Sequence, residues 1–338
     1  MRNCHRNRHR NPFRPVALVF AAALFVILAS GCAFAPGIAE LQWRSAPPMI
    51  EARAAHAVAA NDRFIVALAG TDAKGRPVRS VERFDGREWK ITAPLPPGLE
   101  GGLNAPAAAI LGNALHLTGG FSATSNRPVA DHWALDLATF NWTQRAPMPA
   151  PRGGHALIAH EGRLHALGGG NDRRTLDDHL AWDPITNTWT ALGPLPRAKG
   201  SPAAVVTQGQ LVVIGGRSGA DDFGDVQRFD AAKNVWTPLA NIAPRGTTGA
   251  VAHCGRVVLV GGESQREGRV LGRVESIAES ALIAGGLWQP AANLPTPRAF
   301  ARSVVFDGRI HVVGGAVAYG ASHEAIGTAT VEVLEMRC

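Results

Sequence analysis

No acidic residue stands before Glu40, and the whole chain holds only four lysines, four cysteines and one tyrosine. Charged residues make up 18% against 46% hydrophobic, which excludes the highly charged, poorly apolar composition of a disordered chain. Beyond the first 32 residues only Cys254 and Cys338 remain, too few for a disulfide framework. An oxidising compartment would permit a bridge between them, but their distance cannot be read from sequence and free thiols are the expectation. None of the glycine-rich stretches leads into a helix, so a phosphate-cradling loop is excluded. The twelve histidines lie in the N-terminal region or singly at strand positions such as His56, His116, His155, His165 and His311. No pair has metal-ligand spacing with a third carboxylate, so they are expected as core or surface groups, with no metal and no cofactor.

What is present is unevenly placed. Arg2, Arg6, Arg8, Arg10 and Arg14 precede an apolar run over residues 16–29, the pattern of a secretory signal. These five account for most of the formal charge of +7, since 29 Arg and Lys against 27 Asp and Glu follow. Nucleic acid is therefore not an expected partner. Leu28-Ala29-Ser30-Gly31-Cys32 resembles a bacterial lipobox, which implies a signal over residues 1–31, lipidation of Cys32 and a short linker over residues 32–39. The expected location is periplasmic, held to the membrane by the lipid, at the outer membrane if the cell is Gram-negative. The alternative is an uncleaved anchor over residues 16–35, for which the apolar stretch is short.

Tryptophans recur at Trp43, Trp89, Trp142, Trp189, Trp236 and Trp288, 46 to 53 residues apart. Glycine pairs keep the same beat at Gly119-Gly120, Gly168-Gly169, Gly215-Gly216, Gly261-Gly262 and Gly314-Gly315, with Ala69-Gly70 a weaker copy one unit earlier. Within one unit, residues 155–159, 163–167, 180–184 and 188–192 read as four short strands, the glycine pair closing the second and Trp189 marking the fourth. Four short strands in about 50 residues make a propeller blade. These marks resemble the kelch repeat, over roughly residues 40–338. Trp182, Phe229 and Phe84 stand where that family usually has a third-strand tyrosine. The predicted fold is all-β, a six-bladed kelch-type propeller. Its glycines are expected where backbones crowd near the axis, and its tryptophans between blades.

The last unit supplies strands over residues 301–306, 310–313 and 330–336 and then ends, whereas residues 40–45 form a tryptophan-bearing strand with no blade of their own. The N-terminal strand is therefore predicted to complete the last blade and leave no edge at the seam.

Chemistry is expected on the loops after the second strands and on the connections between blades. Those connections carry Arg53, Arg152, Arg245 and Arg298, with Lys199 in the equivalent stretch of another blade; the loops add Arg173 and Arg217. A mouth ringed by these guanidiniums would suit a carboxylate ligand. The alternative is that the recurring cation belongs to the repeat and pairs with a neighbouring loop. Glu263 and Arg269, six residues apart in the fifth unit, resemble the Glu and Arg of bacterial sialic-acid mutarotases (N-acetylneuraminate epimerases), exported six-bladed kelch proteins. That resemblance implies a carboxylate exchanging a proton at the sugar hydroxyl while the arginine holds the substrate acid. Galactose oxidase, another kelch propeller, needs a tyrosine besides a crosslinked one, and Tyr319 is alone. The expected role is a non-catalytic envelope protein recognising a protein or glycan through its loop face, with the mutarotase as the alternative.

Overall fold

The computed structural model describes residues 41–320, 326–336 and 338. The signal, the lipobox Cys32 and the linker lie outside the described residues. Six four-stranded antiparallel sheets form the six blades. In blade three, Ala156–His160, Arg163–Leu167, His179–Asp183 and Thr188–Leu192 pair in chain order, within one residue of the strands read from sequence. Second strands such as Ile65–Leu68 and Arg256–Val260 are buried along nearly their whole length. They have no polar alternation because each sheet is packed on both faces by its neighbours. One short helix, Glu279–Ile283, interrupts blade five before its last strand.

The seam closes as the sequence predicts. Gln42–Ala46 joins the sheet of Arg302–Phe306, Arg309–Val313 and Val331–Glu335, in register from Gln42 opposite Glu335 to Ala46 opposite Val331. Each tryptophan then clasps the preceding blade through its indole N–H. Trp89 donates to the Pro47 carbonyl at 3.0 Å, Trp189 to Ala146 at 2.9 Å, Trp236 to Gly193 at 2.9 Å and Trp43 to Ala292 at 2.8 Å. A ring packed against the neighbouring blade with its one donor satisfied is stable in that slot.

The glycine pairs explain the other half of the repeat. Gly119 and Gly120 have φ of +55° and +106°, and a Cβ on Gly119 would run into the carbonyl of Arg152 in the next connection. Only glycine adopts both torsions and admits that approach.

Cys254, in the turn between the first two strands of blade five, is bonded to Cys338, with Cα atoms 4.7 Å apart. The expectation of two free thiols is thus corrected: the bridge ties the chain beyond the last strand to the neighbouring blade.

The strand histidines are core groups, and several are bonded ring to ring. His116 meets His132 at 2.9 Å, His165 meets His179 at 2.8 Å, and His155 meets Thr118 Oγ1 at 2.8 Å. Burial holds His116 and His165 down at about 4, and His132, His155 and His179 at about 3. In the unfolded chain these rings take a proton near pH 6.5, so below that pH the unfolded state binds more protons than the folded one. The stability they lend is complete above pH 6.5 and is lost progressively as pH falls toward 3. We expect a Tm that is level above pH 7 and already declines between pH 6.5 and 5, before ordinary carboxylates titrate. Scanning calorimetry across that range checks this; a flat Tm down to pH 4 would contradict it.

Candidate functional site

The residue after each glycine pair occupies one equivalent place in every blade: Thr71, Phe121, Gly170, Arg217, Glu263 and Ala316. Each is bridged to the connection that enters its own blade, for example Arg217 to Gly200 and Glu263 to Gly246. Just inside this circle sits a ring of six left-handed residues: Ala55, Ala105, Gly154, Ser201, Thr247 and Phe300. Backbone N–H groups link it from blade to blade, from Ala105 to Ala55 (2.7 Å), Gly154 to Ala105 (2.8 Å), Ser201 to Gly154 (2.6 Å) and Thr247 to Ser201 (3.2 Å). Phe300 packs with Ala54, Ala55 and Ala105 and fills the mouth. The loop face is therefore a bowl with an apolar floor.

Arg217 and Glu263, neighbours on that circle, form an ion pair across blades four and five. The Arg217 guanidinium also lies 5.5 Å above the Phe300 ring. Glu263 is fully buried, and its second oxygen has no partner among the described residues. Burial holds its carboxyl above the ordinary glutamate value, with the charge of Arg217 opposing and that of Asp222 adding to the rise. Asp222, opposite Arg217 in the small hairpin of blade four, accepts the Gln265 backbone N–H at 2.5 Å and is itself raised by burial. Tyr319 from blade six donates its hydroxyl to Gln265 Oε1 at 2.9 Å. Two carboxylates and one guanidinium are thus held together by three blades.

Arg269 is not part of this group. It is exposed and donates to Glu267 at 2.6 and 2.9 Å, while its backbone pairs with Ser264. The Glu263–Arg269 pairing that the mutarotase resemblance implies is not assembled; Arg217 takes that place.

The connection cations lie inside the blades, not on the bowl. Arg53 meets Glu82 at 2.9 Å, Arg152 meets Asp178 at 3.6 Å, Arg245 meets Glu275 at 2.6 Å, Arg298 meets Glu332 at 2.5 Å, and Lys199 pairs with Asp225. All five cations are fully buried. Their backbones grip the preceding blade: the second glycine of each pair donates to the carbonyl of the next cation, as Gly120 does to Arg152 at 2.8 Å and Gly315 to Arg53 at 2.7 Å. Three of the guanidiniums also hold the first residue of the pair in their own blade, Arg298 donating to Gly314 at 3.2 Å, Arg152 to Gly168 at 3.2 Å and Arg53 to Ala69 at 2.9 Å. Of the arginines expected to ring the mouth, Arg217 and Arg173 alone lie on the loop face. Arg173 is exposed and without an ionic partner among the described residues. Cys32 lies outside those residues.

Two other features carry less. His253, Cys254 and Cys338 lie close enough to share an ion, but the two sulfurs are bonded to each other and not free as thiolate ligands. A groove of about 850 Å³ runs along the outer part of blade one beside Asp72, Arg76 and Ile91. Its Asp72 and Arg76 already pair with each other at 2.7 Å.

Sequence reasoning missed Asp222, Phe300, Gln265 and Tyr319, and missed that Glu263 belongs with Arg217. The signal for that pair was present. Both follow a glycine pair, one repeat apart, and such positions are neighbours in a closed ring.

No curated protein matches the sequence. The KLHDC2/KLHL20/DRC7 Kelch-repeats domain matches residues 36–195 and the Kelch motif matches residues 199–242. The solved structure of YjhT superposes with a TM-score of 0.71 at 17% identity, over 85% of this chain and 96% of that one. At that identity the likeness concerns the fold. Both matches fall on the repeats and the chain folds into six four-stranded blades, so it belongs to the kelch-repeat β-propeller proteins.

Proposed function

We propose that this chain is a non-catalytic binding protein of the cell envelope, exported and anchored through a lipid on Cys32, whose loop face takes an acidic segment of a protein ligand. One observation carries the reading. The exposed guanidiniums of Arg173, Arg174 and Arg266 on the loops around the bowl have no carboxylate partner among the described residues, whereas every fully buried cation has one. Unpaired guanidiniums beside an apolar floor suit a carboxylate-bearing segment with an apolar residue to seat. The Cys254–Cys338 bridge is in keeping with an oxidising compartment. Full-length protein in detergent is expected to retain glutamate-rich peptides and not lysine-rich ones, with retention weakened by salt and lost in an Arg173→Glu/Arg174→Glu variant. Equal retention of both peptides, or none at low salt, would overturn this.

A mutarotase-type activity is the second reading, favoured by the buried carboxyl of Glu263, raised in pKa, on the circle of residues that follow the glycine pairs. It predicts that the protein speeds interconversion of N-acetylneuraminate anomers by NMR and that Glu263→Gln abolishes the effect. The binding reading predicts an unchanged rate.

A further inference from the structure

Each of the five buried connection cations has an acid of its own. On the loop face two acids share one cation. Arg217 pairs with Glu263 and stands opposite Asp222 in the small hairpin of blade four, and its charge acts on both carboxyls. With both ionised, the group is one positive charge short. Its oxygens show the same deficit: Glu263 Oε2 and Asp222 Oδ1 are buried and without a partner among the described residues. A buried acceptor left unanswered is costly, and a proton is the smallest thing that answers it.

The two members of the ion pair differ in access. The Arg217 side chain is 21% exposed and that of Glu263 0%, and the guanidinium lies over the Phe300 ring. A ligand carboxylate can therefore reach the cation and not the acid behind it. The charges acting on Glu263 are those of Arg217 and Asp222, both from blade four. Within blade five, Arg269 and Arg273 are held by Glu267. The connection bridged to Glu263 brings Gly246 and then Thr247, neither of which titrates, and Tyr319 from blade six donates to Gln265. Burial already lifts the Glu263 carboxyl above the ordinary glutamate value, with Arg217 opposing the rise. A second carboxylate drawn to that guanidinium weakens the opposition, so the carboxyl must rise further.

We infer that the loop face binds its acidic ligand together with a proton: a ligand carboxylate engages Arg217, and Glu263 takes one proton from solvent and becomes neutral. The inference rests on the binding reading above and adds Arg217 to it as the inner seat, behind the exposed Arg173 and Arg174. Its consequence is a pH dependence of fixed sign. Binding raises the Glu263 pKa, so the affinity gained from the proton is full below the value in the free protein. It is lost as pH rises through the value in the complex. Affinity for an acidic ligand therefore falls with rising pH, by at most about tenfold per unit.

The test uses the full chain in detergent with the glutamate-rich peptide as probe, from about pH 5.5 to 8, where the peptide's own carboxylates stay ionised. Titration calorimetry in two buffers of unlike ionisation enthalpy counts the protons taken up. Uptake of up to about one proton per bound peptide is expected, with affinity falling as pH rises. Glu263→Gln keeps the volume of the side chain and removes its charge. It should bind without proton uptake and with a level pH profile. At pH 8 it should bind on the order of tenfold more tightly than the wild type, which loses that factor for each unit by which pH exceeds the Glu263 pKa in the complex. Arg217→Met should weaken binding at every pH and take up no proton. The wild-type proton count stands whether or not the variants fold. Binding without proton uptake, a level profile in the wild type, or an unchanged slope in Glu263→Gln would overturn this inference and leave the binding reading standing. A probe not retained at any pH would overturn both.

Discussion

Deleting residues 38–48 is expected to lower the Tm by about 10 °C or more, the scale of several kcal/mol in a domain of this size, and to promote aggregation. The strand Gln42–Ala46 is mostly exposed, so buried area is not the main loss. Its backbone pairs along the whole of Val331–Glu335, and without it that strand becomes an open edge next to a hydrophobic interior, the arrangement propellers avoid. The Trp43 indole also gives up its bond to Ala292, which latches blade six onto blade five. The ion pair Arg44–Glu335, at 3.2 Å with Arg44 largely exposed, belongs to the same strand. An exposed pair is worth about 0–1 kcal/mol, so Arg44→Ala should leave the Tm nearly unchanged. Trp43→Ala should fall between the two, and a synthetic peptide of residues 38–48 should restore part of the loss. An unchanged melt after the deletion would mean that the ring is held shut by other contacts.

The features legible in the sequence are those that recur with the blade. Tryptophan and diglycine appear at each turn of the repeat because each solves the same problem six times, an inter-blade slot with one carbonyl to satisfy and a backbone approach without room for Cβ. Periodicity could not tell whether a recurring cation points outward or inward. Arg53 and Arg298 read equally well as a ligand ring or as internal clamps, and what decides is the acid on the third strand. That acid drifts in position, Asp178 just before its strand, Glu275 second and Glu82 third in theirs, so no fixed spacing announces it. The Glu263 site was obscured for a different reason. Local spacing pointed to Arg269, but the twist of a two-stranded hairpin turns that side chain to Glu267, while ring closure brings Arg217 from the neighbouring blade. The Cys254–Cys338 bridge spans a separation of 84 residues and becomes possible only once the seam has placed the last strand beside blade five.

Those internal clamps carry the second large expected effect. Arg298→Met should destabilise the protein by about 3–5 kcal/mol, the cost of stranding one member of a buried ion pair. The substitution removes three bonds at once, to Glu332 at 2.5 Å, to the Thr330 carbonyl at 2.9 Å and to the Gly314 carbonyl at 3.2 Å. Glu332 is left nearly buried with the Thr296 hydroxyl at 3.0 Å as its remaining side-chain partner, and burial of an unpaired carboxylate dominates the loss. The pair itself is not required by the fold, and the protein supplies its own control. Blade two has Leu103 where the other blades have a cation; it is fully buried, and its carbonyl still accepts the Gly70 N–H at 2.8 Å. The backbone grip between blades therefore needs no guanidinium. The double variant Arg298→Leu/Glu332→Leu should recover most of the stability lost in the single one, because an apolar pair of fitting volume removes both desolvated charges together. Urea unfolding of the wild type, both singles and the double gives the coupling energy directly. A double variant as unstable as the sum of its singles would show that the cation and the acid act separately, and that the recurring arginine does something other than clamp its own blade.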